Sequence, residues 1–186
     1  MQDFKGSRRG FLLGALAAPL ALNVVACARA ADKVAPSADV VIENFSATGV
    51  SAGQAKVPRV VKTDDEWRQQ LSELSFLVTR KAGTERPFTG KYNEHHADGV
   101  YRCICCDTAL FDSRNKFESG TGWPSFWTTI SKLNVAESEH GSYMFGTEVH
   151  CARCSGHLGH IFEDGPKPTG LRYCINSVAI NFTPRG

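Results

Sequence analysis

The strongest strand signal in the chain is the run from Arg172 to Phe182, where β-branched and aromatic residues recur with a period of two. Cys174, Asn176, Val178, Ile180 and Phe182 share one face, and Tyr173, Ile175, Ser177, Ala179 and Asn181 share the other. The pattern predicts one continuous strand. Two further strands are expected, one where Gly99-Val100-Tyr101-Arg102 leads into a cysteine pair and one over Ser142 to Val149. Glycines at 120, 122, 141, 146, 156, 159, 165 and 170 cut this half of the chain into short strands with tight turns. Helical periodicity is confined to one place. Thr63-Asp64-Asp65-Glu66 reads as a capping box, and Trp67, Leu71 and Leu74 follow at i, i+4 and i+7, which predicts one short amphipathic helix. Gly83 and Pro87 end any further helical run. Ala31 to about Val61 is rich in Ala, Ser, Val, Gly and Pro without a sustained period, so residues 31–62 are expected to be a linker or loosely ordered arm. The economical architecture is a small, mainly β antiparallel domain over 63–186 with one or two peripheral N-terminal helices.

The N-terminal thirty residues have a different character. Ser7-Arg8-Arg9-Gly10-Phe11-Leu12 carries a twin arginine ahead of an uncharged, alanine- and leucine-rich stretch from Gly10 to Ala28. The segment resembles a twin-arginine (Tat) export signal, which implies a periplasmic destination reached by an already folded protein. An uncleaved anchor helix is the alternative. Ala28-Arg29-Ala30 fits a signal-peptidase site, and Val24-Val25-Ala26-Cys27 resembles a lipobox in which Cys27 would carry lipid. Membrane attachment is therefore expected only if Cys27 is lipidated or the signal stays uncleaved. This segment also skews the charge. It holds four of the 21 basic and one of the 19 acidic residues, leaving 17 against 18 beyond it. A near-neutral domain has no electrostatic footprint for nucleic acid.

The seven cysteines divide by spacing. Cys103-Ile104-Cys105-Cys106 and Cys151-Ala152-Arg153-Cys154 each contain a Cys-x-x-Cys pair. Two such turns bring four thiolates to one tetrahedral centre, the usual structural arrangement for Zn²⁺. Adjacent residues rarely aim at one ion, so Cys103 and Cys106 are assigned as ligands with Cys151 and Cys154, and Cys105 as a bystander. Two disulfides are the alternative in an oxidising compartment. Iron fits less well, since aromatic shielding around the pairs is not evident. Cys174 stands apart and is free for nucleophilic chemistry. Asn176 follows two residues on, His157-Leu158-Gly159-His160 supplies two imidazoles, and Ser119 to Phe126 supplies an aromatic lid.

Together these elements resemble the methionine-(R)-sulfoxide reductase (MsrB) family. The resemblance runs from about Thr63 to Pro184 and rests on Gly122-Trp123-Pro124-Ser125-Phe126, His157-Leu158-Gly159-His160, Asp164-Gly165-Pro166, Pro168-Thr169-Gly170 and Arg172-Tyr173-Cys174-Ile175-Asn176-Ser177. It implies a mainly β fold of two small antiparallel sheets, a structural zinc on the four paired cysteines, and reduction of the R-diastereomer of methionine sulfoxide, free or in oxidised protein, as repair of exported proteins. Cys174 as thiolate would attack the sulfoxide sulfur and become a sulfenic acid. His160 would protonate the oxygen, with His157 beside it, and Asn176 would donate its amide to substrate or reacting sulfur. Trp123 would offer an apolar wall to the substrate methyl, with Phe126 and Asp164 completing the substrate site and Asp164 orienting a histidine.

One departure matters. Many family members carry a resolving cysteine between the two glycines of the Ser-Gly-x-Gly-Trp motif, where this chain has Thr121. The routes left are an external thiol reductant of thioredoxin-like chemistry, Cys105, or Cys27. A monomer is expected. Two other classes account for less. A zinc-ribbon binding module leaves Cys174, the histidines and Trp123 unexplained, and a thiol-disulfide oxidoreductase would want its Cys-x-x-Cys in a βαβ context.

Overall fold

The computed structural model describes residues 38–138 and 146–185. The signal-type segment, Cys27 and residues 142–145 of one expected strand lie outside these. The region read as a linker is corrected first: residues 39–58 form a hairpin of β1 (Asp39–Phe45) and β2 (Ser51–Pro58). Its sequence hides it because both faces are largely exposed, and in β1 only Ile42 is fully buried. Specific hydrogen bonds hold the hairpin against the domain. The buried Asn134 side chain acts as a strand edge, accepting from Glu43 N–H at 2.8 Å and donating to Glu43 C=O at 2.8 Å.

The capping box at Thr63 forms as expected and starts helix α1 (Asp64–Gln70). The single helix of the sequence reading is instead two. Ser72 accepts a hydrogen bond from Ser75 N–H and caps a second helix, α2 (Glu73–Lys81), while Leu71 takes an extended conformation between them. A good N-cap inside a helical period starts a new helix. Trp67, Leu71, Phe76 and Val78 are buried, and Leu74, expected on the apolar face, is exposed.

The strands that follow are β3 (Gly99–Cys103), β4 (Ala109–Asp112), β5 (Lys116–Phe117), β6 (Ser125–Phe126), β7 (Val135–Glu137), β8 (Thr147–Cys151), β9 (His157–Phe162), β10 (Arg172–Ile175) and β11 (Ile180–Pro184). Two antiparallel sheets carry the domain, one six-stranded in the order β5-β6-β10-β9-β8-β7 and one three-stranded in the order β11-β3-β4. Trp67, Phe76, Tyr101, Phe111, Phe126, Leu158, Ile175 and Ile180 belong to one buried cluster.

The long strand predicted over Arg172–Phe182 is also corrected. It breaks at Asn176 into β10, a 3-10 turn over Ser177–Ala179, and β11, so its two halves belong to different sheets. A residue ninety positions away explains the break. The buried Glu85 carboxylate accepts from Ser177 N–H at 2.7 Å and Val178 N–H at 3.1 Å, two donors that a strand would have used in its ladder. Glu85 N–H in turn donates to Asn176 Oδ1, and Asn176 Nδ2 donates to Leu158 C=O. Removing the carboxylate leaves buried amide donors without partners. Hydrogen bonds to a charged acceptor contribute roughly 1.5–3 kcal/mol each, so Glu85→Ala is expected to lower unfolding free energy by about 3 kcal/mol or more. Urea unfolding of the two proteins measures this, and a change below about 1 kcal/mol would contradict the clasp.

Candidate active site

Cys174 sits near the middle of the six-stranded sheet, opposite Ser125 of β6 on one side and His160 of β9 on the other. Directly paired residues project to the same face of a sheet, so the imidazole and the thiol share one surface. Gly159 permits this pairing, because a Cβ there would fall 2.0 Å from the Cys174 carbonyl oxygen. Arg172, two residues before Cys174, lies on the same face. Thr121 completes the surroundings, its Oγ1 at 4.0 Å from Cys174 Sγ. The position at which the family pattern places a second sulfur therefore does face Cys174, and it carries a hydroxyl.

Burial pushes the Cys174 thiol above its ordinary value of 9.0, and the Arg172 guanidinium and Thr121 hydroxyl pull the other way without overcoming it. The resting group at neutral pH is therefore a thiol. Burial, followed by the neighbouring His157, holds His160 below its ordinary 6.5, so its imidazole is neutral and can both accept and donate a proton. The thiolate fraction therefore rises with pH and is still rising at pH 9. Iodoacetamide labelling of Cys174, followed by peptide mapping, is expected to accelerate continuously from pH 6 to pH 9 and to slow further in Thr121→Val. A plateau reached near pH 7 would contradict this.

His157 and His160 are three apart on β9, which in a regular strand puts them on opposite faces. A register shift between Val149 and His150 in the β8–β9 pair changes this, and the two rings lie edge to face with centroids 5.4 Å apart. His157 is buried, its Nδ1 is 2.7 Å from Glu148 Oε1, and its Nε2 has no hydrogen-bond partner among the described residues. Glu148, paired across the strands with His160, is thus the carboxylate beside the histidines.

Three of the residues assigned from sequence have other partners than expected. Asp164 does not orient a histidine; both its oxygens receive the Arg172 guanidinium at 2.8 Å, which also lies over the Phe162 ring. Asn176 is buried, its Oδ1 accepting from Glu85 N–H and its Nδ2 donating one hydrogen to Leu158 C=O, so it braces the backbone and keeps a second amide N–H. Phe126 is fully buried, stacked on Phe111 at 4.5 Å between centroids, and belongs to the core instead of a lid. Trp123 is partly exposed, two residues before Ser125 of β6, with Nε1–H donating to Glu85 C=O at 3.2 Å. Sequence reading gave no role to Glu85, Glu148 or Arg172. Arg172 lay within a quoted motif and shares the face of Cys174, a signal that was available; Glu85 and Glu148 had none.

The four cysteines chosen by spacing come together, with all their sulfurs within 4.8 Å of one another. Cys103 and Cys154 are 3.6 Å apart, and Cys106 and Cys151 3.5 Å. Tetrahedral Zn–S bonds near 2.3 Å require sulfur separations of about 3.8 Å, so the cage fits that ion. The crowded sulfurs of Cys105, Cys106, Cys151 and Cys154, together with burial, push the Cys103 thiol far upward, so a thiolate there needs a cation among them. Cys105 is buried against the same cluster and stays outside the ligand set.

Comparison with known proteins agrees with this geometry. A family model described as the SelR domain matches residues 71–184. A protein of Pseudomonas putida named peptide methionine sulfoxide reductase MsrB is 55% identical over 130 residues, covering 68% of this chain and 98% of its own length. Proteins of the same name from Pseudomonas entomophila and Thioalkalivibrio sulfidiphilus are each 55% identical, over 130 residues (68% and 98%) and 123 residues (64% and 88%) respectively.

Proposed function

Because this chain belongs to the SelR-domain, or MsrB, family, we propose that it reduces methionine sulfoxide to methionine, acting on the R-diastereomer through Cys174. The pairing of Cys174 with a neutral His160 on one side and with Ser125 on the other, two residues after the partly exposed Trp123, carries the reading.

The substrate methyl group packs on Trp123 and its sulfur meets Cys174. The sulfoxide S–O bond breaks as a new S–O bond forms at Cys174, so the substrate is reduced to a thioether and the thiol is oxidised to a sulfenic acid. The thiol proton ends on the transferred oxygen, and neutral His160 relays it by accepting from sulfur and donating to oxygen. The Arg172 guanidinium, held by Asp164, favours the negative charge that develops on sulfur. Two external thiols then restore Cys174, forming one disulfide between them and one water. A thioredoxin-like or small thiol suits this role, since Thr121 has no sulfur to offer and Cys105 is packed beside the metal cage. Zinc held by Cys103, Cys106, Cys151 and Cys154 cross-links the fold without redox chemistry of its own.

Racemic dabsyl-methionine sulfoxide with dithiothreitol tests the reading. Half the substrate is expected to be consumed, all of it the R form. No consumption would overturn the activity, and equal consumption of both forms would overturn the stereochemistry. The twin-arginine segment further supports export to the periplasm, with repair of oxidised proteins there as the role. The intact mass of the purified mature protein distinguishes a chain starting at Ala31 from one lipidated at Cys27, and retention of residues 1–30 in a cytosolic fraction would sink the export reading.

A further inference from the structure

Phe88 is the most exposed large hydrophobic residue of the described chain, at 66%, and its backbone is left-handed with φ +64°. A bulky side chain in that conformation is strained and persists only where the surroundings impose it. Here they do. Phe88 N–H donates to Gly122 C=O at 2.8 Å, one residue before Trp123. The approach is close enough that a Cβ on Gly122 would lie 2.7 Å from the Phe88 nitrogen and 2.8 Å from its ring. The loop is pinned at both ends, by Glu85 to the turn after Cys174 and by Tyr92 N–H to Ser177 Oγ. Trp123 itself donates to Glu85 C=O. A rigid loop thus holds an aromatic ring in solvent against the backbone that carries the tryptophan.

We propose that Phe88 is a specificity-determining residue, whose ring packs on the apolar side chain of a residue flanking the oxidised methionine in a polypeptide substrate. The inference rests on the methionine sulfoxide reductase reading and adds the recognition of flanking chain. A pre-ordered aromatic surface gains contact area without ordering cost, which is what an extended peptide passing the site requires. Free methionine sulfoxide has no residue to place there.

The test compares kcat/KM for N-acetyl-methionine (R)-sulfoxide amide and for an oxidised peptide with leucines on both sides of the sulfoxide. Wild type, Phe88→Gly, Phe88→Ala and Phe88→Tyr are assayed with a thermal melt of each. Glycine accepts the left-handed backbone, so Phe88→Gly keeps the loop while losing the ring. The peptide-to-amide ratio of kcat/KM is expected to fall roughly tenfold in Phe88→Gly and Phe88→Ala, mainly through KM, and to return in Phe88→Tyr. An unchanged ratio in Phe88→Gly overturns the inference, whether activity is kept or lost equally on both substrates. Inactivity of the wild type on both substrates would instead overturn the reductase reading beneath it.

Discussion

Cys174→Ser is expected to abolish turnover, with kcat/KM falling at least about a thousandfold. Two physical reasons combine. A buried serine hydroxyl stays protonated across the whole working pH range, and oxygen transfer to it would create a weak O–O bond where the wild type creates a strong S–O bond. The substitution is nearly isosteric in a strand whose backbone bonds are unaffected, so thermal stability is expected to stay within a few degrees. Wild type given one equivalent of substrate without reductant should gain one oxygen atom at Cys174 by mass spectrometry, and the variant none. Residual activity above a tenth of wild type, or oxygen found on another cysteine, would show that a different thiol carries the reaction.

The second large effect concerns the metal cage. Zinc binding by four cysteines provides about 10–16 kcal/mol in small domains, comparable with the whole stability of a typical protein. Stripping the ion with a strong chelator under denaturing stress, or introducing Cys151→Ser, is therefore expected to unfold the domain at or below room temperature. Activity should go with it, because the cage is tied across strands to the segment that carries Cys174: Cys103 pairs with Ile180, six residues after Cys174. Cys105→Ser is expected to leave both zinc content and the melting temperature nearly unchanged. Near-wild-type melting of a fully zinc-free Cys151→Ser protein would overturn the structural role.

What could be read from the chain divides along local and distant causes. The metal cysteines were legible because two Cys-x-x-Cys turns encode their own geometry, and the Thr63 capping box because cap and Glu66 are three residues apart. The break between the helices had a readable cue in Ser72, outweighed by a hydrophobic period that ran through it. The break in the last strand had no local cue, since the period of two continues across Asn176; the chain turns there because Glu85 captures two amides from far away in sequence. The same distance hid the true partners of Asp164 and Asn176, whose residue types suit catalysis as readily as scaffolding. The first hairpin was hidden for the opposite reason, being too exposed to show a buried face.

The hydroxyl of Thr121 has a consequence for the lifetime of the molecule. On the proposed mechanism, with no second sulfur facing Cys174 among the described residues, each cycle would leave a sulfenic acid waiting on a bimolecular encounter. The longer reductant is scarce, the greater the share of molecules driven on to sulfinic acid, from which ordinary thiols do not return them. Such a catalyst wears out fastest when oxidants are abundant, and its useful number of cycles is set by the supply of donors reaching it.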